Sequence, residues 1–494
     1  LGSIKKLAGQ TAVYGLSSIV GRLLNYLLVP FYTRVFTPSE YGVVSELLAI
    51  VSFIMIIFTY GMETSFFHFS EKDHDRNKVY TSGVLSLLGS SLFLSGLMIL
   101  FSSSIATWIQ YPKHPEYVTW FALILGLDAL CALPFARLRQ QNRAKRFATV
   151  KLLNILVNIG FNIFFLVLCP KWIHEHGFFK ELTDLFYSPK IGAGYVFISY
   201  LLSSIVTLLF LIPQLKDVQL EFDSTLWKQM IIYGFPLLIG GFAGMINETF
   251  DRAVYKYLAP DRAIALKQLG IYSACYKLSI VMTLFIQTFR YAAEPFFFSH
   301  YKKENNKLMY AQVMKYFIIT CSFIFLLVML YIDIFKIFIG EDFRSGLAVV
   351  PILLLANMCL GIFYNLSMWY KLTGQTRFGA YFSIFGAVLT IILLWWLIPT
   401  MGYMGAAWAT LVVYAAMMIL SYITGQKYYR IEYDVPGNLL YIGLALLTYF
   451  ASYGIEKLLK PGQIAEYTIN TFLLLLFAGF VFVIEKPKLS KPVN

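Results

Sequence analysis

Apolar runs of about 20 residues, recurring along the whole chain, constrain this sequence more than any other feature. Inside a bilayer every backbone N–H and C=O must be paired without water, so only helices or closed barrels can cross it. Fourteen runs long enough for a spanning helix occur, at 9–32, 41–63, 79–101, 117–137, 147–168, 191–213, 228–250, 269–293, 310–332, 347–369, 379–398, 404–424, 437–456 and 466–484. Only 14% of the 494 residues are charged and 58% are hydrophobic, whereas a soluble domain carries about 25% charged residues. An all-α integral membrane protein with 14 transmembrane helices is therefore expected. The longest connections, 169–190 and 251–268, are too short to hold another folded domain.

The formal net charge of +13 would point to nucleic acid in a soluble protein, but here Lys and Arg sit in short connections between apolar runs. There they set orientation. With a cytoplasmic N-terminus the inner connections hold 22 basic residues and the outer ones 13, the densest stretch being RLRQQNRAKR at 137–146. Both termini are accordingly expected in the cytoplasm, with no role for nucleic acid. Lys5 and Lys6 lead straight into a full-length span, so no cleavable signal peptide is expected. The five cysteines, Cys131, Cys169, Cys275, Cys321 and Cys359, lie in or beside apolar runs without CxxC spacing. They read as small buried hydrophobes.

A faint internal repeat runs through the chain. METSFFHF at 62–69 resembles AEPFFFSH at 293–300, placing Glu63 and Glu294 at an offset of 231, and RFA at 146 and RFG at 377 share that offset. Such weak self-similarity is how many transporters record a duplicated bundle. The expected organisation is two pseudo-symmetric six-helix bundles, 1–215 and 216–425, followed by two additional helices in 426–494.

Charges within spans are expensive and usually face a polar cavity or a partner. In the first span Thr11, Tyr14, Ser18, Arg22 and Asn25 fall on one helical face, a polar stripe with a cation in it. In the seventh, Pro236, Gly240, Gly244, Asn247 and Asp251 repeat that geometry. Glu248 and Arg252 stand four apart and can pair along the helix. Two readings stand for this end of the span: a hydrated helix end with a local salt bridge, or a gate or cation site. Glu46 and Glu63 in the second span, Asp128 in the fourth, and Arg290 and Glu294 in the eighth complete the set with Lys277, which has no acid three or four residues away and reads as a cavity cation. Arg290 and Glu294 form an i, i+4 pair able to neutralise itself. Lys151 and Lys315 lie close enough to the cytoplasmic surface to snorkel there.

No GxxxxGK[ST] stretch occurs, GGFAG at 240–244 has no strand before it, and the HEH at 174–176 is too little for a metal site. Six histidines, all in connections, supply no nucleophile–base constellation at membrane depth. No catalytic residue, metal or cofactor is assigned, apart from a proton or sodium ion as coupling agent.

The stretches LLVPFYTRVFTPSEYGVVSELLAIVSFIMIIFTYGMETSFFHF (27–69) and DRAVYKYLAP leading to LGIYSACYKLS (251–279) resemble signatures that open the two halves of the polysaccharide-exporter branch of the multidrug/oligosaccharidyl-lipid/polysaccharide exporter superfamily. The resemblance covers nearly the whole chain. It implies a flippase that moves undecaprenyl-pyrophosphate-linked oligosaccharide, such as O-antigen or capsule units, across the bacterial inner membrane by alternating access. Membrane lipid, a glycan polymerase and glycosyltransferases are the implied partners. Arg22 stands where related peptidoglycan-precursor flippases keep a cavity arginine, and Lys277 is similar in place to their eighth-helix arginine. A further arginine expected some six residues after the first is absent, with Leu28 in that region, which argues against the peptidoglycan substrate.

On this reading Arg22, Lys277, Arg290 and Asn25 serve the headgroup. Glu63, Asp128, Glu248, Asp251, Arg252 and Glu294 serve coupling or gating, with membrane potential as the other driving force. The alternatives are a cation-coupled multidrug antiporter of the same superfamily and a membrane-embedded glycan polymerase or ligase. The short outer connections count against the enzyme.

Overall fold

A computed structural model of the chain describes residues 20–21, 23–71, 75–173, 178–219, 221–300 and 306–489. Its principal helices are α1 (Leu28–Val35), α2 (Pro38–Thr59), α3 (Met62–Glu71), α4 (Arg76–Leu100), α5 (Pro115–Gln140), α6 (Ala144–Ile163), α7 (Gly194–Leu215) and α8 (Ser224–Leu258). After these come α9 (Ala265–Leu278), α10 (Ile280–His300), α11 (Asn306–Leu330), α12 (Val349–Leu366), α13 (Arg377–Met401), α14 (Tyr403–Tyr428), α15 (Val435–Leu459) and α16 (Gln463–Leu489). Among the described residues no strand occurs. Twelve helical stretches there are long and apolar enough to cross a membrane, thirteen if α9 and α10, which meet at a 47° bend, count as one span. The first expected span, 9–32, falls largely outside the described residues. The protein is a multi-pass membrane protein.

Helix boundaries follow local chemistry. Thr37 and Glu40 form a reciprocal capping box at the start of α2, with Pro38 at the first helical position where its missing N–H costs nothing. The apolar run then continues past a break, because Tyr60 and Gly61 both take positive φ, 32° and 73°. The break is held against α8. A Cβ added to Gly61 would lie 2.8 Å from the Gly234 carbonyl oxygen, and one added to Gly234 would lie 2.9 Å from that of Tyr60. The Ser65 hydroxyl donates to the Met230 carbonyl at 2.9 Å beside them. Gly61→Ala therefore meets both a left-handed backbone, which costs a side chain about 1–2 kcal/mol, and a steric contact with backbone. Thermal unfolding in detergent is expected to show a lowered Tm for Gly61→Ala. Gly96→Ala, on an open helical face of α4, should be neutral or slightly stabilising by helix propensity.

The chain divides into two compact units, 1–256 and 257–494. In the first, α3, α4, α5 and the start of α8 enclose Met62, Phe66, Val79, Tyr80, Leu133 and Met230. In the second, Phe363, Trp369, Phe382, Val413, Tyr414 and Met417 join α12, α13 and α14. The two last helices belong to this second unit. Phe325 of α11 meets Tyr449 of α15 edge-on at 5.8 Å, and Asn470 of α16 accepts from Ser452 and donates to the Leu330 carbonyl.

Candidate functional site

Helix ends and breaks bring most of the intramembrane charges to their partners. In the first unit, Glu63 sits in the opening turn of α3, just past the Tyr60–Gly61 break, and forms an ion pair with Arg139 from the last turn of α5. The Arg139 guanidinium also lies over the Phe67 ring at 5.0 Å. In the second unit, Glu294 of α10 pairs with Lys371, which follows α12, at 2.5 Å, and with Arg290 at 3.8 Å. Arg290 stacks over the Tyr364 ring at 4.1 Å. The recurrence offset reappears in these pairs: Glu63 and Glu294 are 231 residues apart, and Arg139 and Lys371 are 232 apart. Aromatic neighbours repeat it as well, with Phe66 edge-on to Tyr80 in one unit and Phe297 edge-on to Tyr310 in the other.

Asp128, half-buried on α5, is hydrogen-bonded by Ser204 of α7 and faces Lys151 of α6. The Lys151 ammonium lies 4.9 Å from the Phe135 ring. Its electrostatic neighbours include Glu63 and Arg139 as well as Asp128. Those four charges thus form an alternating series on α3, α5 and α6.

At the far end of α8, Glu248 is exposed while Asp251 is buried. The Arg252 side chain donates to the Glu248 backbone carbonyl, lies 3.5 Å from the Asp251 carboxylate, and is close to Tyr41 of α2. The i, i+4 geometry anticipated from spacing is used, with the carbonyl of residue 248 as acceptor. Asn247 is half-buried.

The cations that sequence spacing singled out first are differently placed. Arg22 lies outside the described residues. Asn25 is exposed three residues before α1. Lys277 is half-buried in the last turn of α9, two residues before Ser279 at the bend into α10. Asn357 of α12 donates to the Ser279 hydroxyl oxygen at 3.1 Å, so the break is stitched from a neighbouring helix.

Several polar networks were not legible as sites. Arg137, buried in α5, meets Asp217 at 3.0 Å, Asn77 at 3.1 Å and the Gln214 carbonyl at 3.4 Å, with Tyr80 beneath it at 4.2 Å. It fastens the ends of α4, α5 and α7, although its sequence context marks it only as a topology residue. Lys315 of α11 is buried against Glu485 of α16, and the Tyr441 hydroxyl donates to the same carboxylate at 2.6 Å. Its ammonium ends on an acid and not at a surface, contrary to the snorkelling expectation. Glu46 of α2 is fully buried against Lys256. Among the described residues no cluster of three His, Cys, Asp or Glu side chains has metal-binding geometry.

A family model described as "Polysaccharide biosynthesis protein" matches residues 7–301. No curated protein sequence matches the chain. Among solved structures, the lipid II flippase MurJ in its inward closed conformation is similar at a TM-score of 0.71 and 14% identity, covering 95% of this chain and 98% of that one. An inward-facing multidrug resistance MATE family transporter of the MOP superfamily is similar at 0.62 and 13% identity, covering 84% and 94%. A MATE crystal structure in the straight conformation gives 0.58 and 14% identity over 86% and 95%. At such identities the likeness concerns the fold.

Proposed function

Because the chain belongs to the polysaccharide biosynthesis protein family, we propose that it is a flippase for undecaprenyl-pyrophosphate-linked oligosaccharide, working by alternating access in the bacterial inner membrane with both termini cytoplasmic. The observation that carries this reading is the combination of that family with a fold similar to that of a lipid II flippase over 95% of the chain. Fourteen spans in two six-helix bundles plus two helices, divided at 215 and 425, are part of the proposal. So is the assignment of the protein as a carrier and not an enzyme.

In this mechanism the diphosphate of the cargo is held by cations in a site of low dielectric, where charge compensation matters most. Arg22 and Lys277 take that role, with Arg290 third and Asn25 as a neutral hydrogen-bonding neighbour. The partly exposed pair of Arg290 and Glu294 supports this, because a carboxylate that neutralises a cation at rest is displaced when phosphate arrives. Glu63, Asp128, Glu248, Asp251, Arg252 and Glu294 are the groups proposed for coupling or gating. Glycosyltransferases that build the cargo and a polymerase that consumes it are the proposed neighbours in the pathway.

Purified protein in liposomes containing a fluorescent undecaprenyl-pyrophosphate oligosaccharide should raise the rate at which the headgroup becomes accessible to an external quencher. An acceleration of about tenfold or more, equivalent to about 1.4 kcal/mol of barrier, is expected over protein-free liposomes. The MATE likeness defines the competing reading. Drug efflux in cells without any lipid flipping in liposomes would replace the flippase by a multidrug antiporter.

A further inference from the structure

The last turn of α8 is fastened by charges that no role above uses. Lys256 belongs to that turn and is the last residue of the first unit. Its ammonium lies 2.9 Å from Glu46 Oε1, donates to the Ile109 carbonyl at 2.9 Å, and sits 4.1 Å from the centre of the Tyr111 ring. The Tyr111 hydroxyl donates to Glu46 Oε2 at 2.5 Å. The side chains of Lys256 and Glu46 are 8% and 0% exposed.

Burial of this kind is weak evidence for stability, because an apolar pair of similar volume is often as stable or more so. When a buried ion pair separates where water can reach it, both charges regain hydration, whereas an apolar pair gains nothing by exposure. The rest of α8 makes such a switch useful. Its first half is clamped at Met230 and Gly234 to the α2–α3 break. Its middle holds Pro236, whose ring removes one helical hydrogen bond, and Gly240 and Gly244, at which an added Cβ would meet nothing within 4 Å among the described residues. Beyond that stretch α8 meets α2 through Phe250 and Phe53, edge-on at 5.8 Å, and its last turn is held by Lys256.

We infer that Glu46, Lys256 and Tyr111 form a latch on the end of α8, closed in this conformation and opened during transport. The inference rests on the alternating-access reading for its purpose, and its geometry puts it on the side that the charge bias assigns to the outside. Ile109 is buried beneath the latch at 7% exposure, so a cysteine placed there reports opening.

The test is the labelling rate of Ile109→Cys by a water-soluble maleimide in the detergent-solubilised full chain. The parent chain, whose cysteines give the background, serves as control. In the Glu46→Gln background labelling should rise about tenfold, corresponding to about 1.4 kcal/mol. The apolar pair Glu46→Leu with Lys256→Met should label as slowly as the parent yet flip lipid about tenfold more slowly, because it closes but lacks a hydrated open state. Labelling in Glu46→Gln equal to the parent overturns the latch, as does an apolar pair that transports at the parental rate. If the cysteine variant does not fold, hydrogen–deuterium exchange over residues 105–113 decides instead: faster exchange in Glu46→Gln than in the parent supports the latch, and equal exchange overturns it. Labelling needs no cargo, so failure of the latch stays distinguishable from failure of the flippase reading.

Discussion

Glu485→Leu alone is expected to lower stability by about 3–5 kcal/mol, because it strands the Lys315 ammonium in a buried position. The side chains of Lys315 and Glu485 are 10% and 4% exposed, and Tyr441 supplies the second hydrogen bond to the carboxylate. A loss of that size is a large part of the margin by which most folded domains stay folded. Much less Glu485→Leu protein should survive extraction, with a markedly lower Tm in detergent. Adding Lys315→Met removes the stranded charge, and the double variant should recover to the parent level or exceed it. If Glu485→Leu extracts and melts like the parent, the triad is not closed in the membrane.

The same triad explains how the last two helices join the rest of the second unit. Glu485 is carried by α16, Tyr441 by α15 and Lys315 by α11, so one buried carboxylate ties three helices. Apolar contact alone discriminates poorly between helix faces in a bilayer, where lipid is as apolar as the neighbouring helix. A buried ion pair with one satisfying arrangement specifies the register, which is its best-attested use.

Hydropathy made the spans legible because hydrogen-bond satisfaction in lipid leaves helices almost no competitor. The bend at Ser279 and the break at Tyr60–Gly61 were not legible, since both lie inside continuous apolar runs, and Tyr60 carries a side chain at positive φ that nothing local announces. The repeat was visible at Glu63 and Glu294, yet their partners Arg139 and Lys371 stand in stretches whose charge reads as topology. Partners more than 70 residues apart leave no periodic trace, and Lys315 and Glu485 are separated by 170. Lys256 was hidden for the converse reason: counted with the basic residues of an outer connection, it proves to be buried in the last turn of α8. Spacing along one helix found the i, i+4 contact of Arg290 with Glu294, the one class of partner that a single element contains.

Lys277→Gln is expected to slow lipid flipping by about 10- to 100-fold while leaving the amount of folded protein unchanged. A hydrogen bond to a charged group is worth about 1.5–3 kcal/mol, which converts to that range when one phosphate contact is lost. A rival explanation is built into the structure, because Lys277 lies in the last turn of α9, where a cation is stabilised by the helix dipole whether or not cargo is bound. The two explanations separate in their readouts. Loss of a dipole contact lowers Tm by an amount matching about 0.3–1 kcal/mol and leaves the flipping rate of the folded fraction alone. Loss of a headgroup contact does the reverse. Lys277→Arg sharpens the comparison, since guanidinium keeps the charge and adds a bidentate grip on phosphate; it should flip at or above the parent rate, whereas Lys277→Met should fail as Lys277→Gln does. Raised salt should slow the parent more than Lys277→Gln, because screening weakens a contact that the variant has already lost. Flipping by Lys277→Gln within about twofold of the parent would remove Lys277 from the headgroup site.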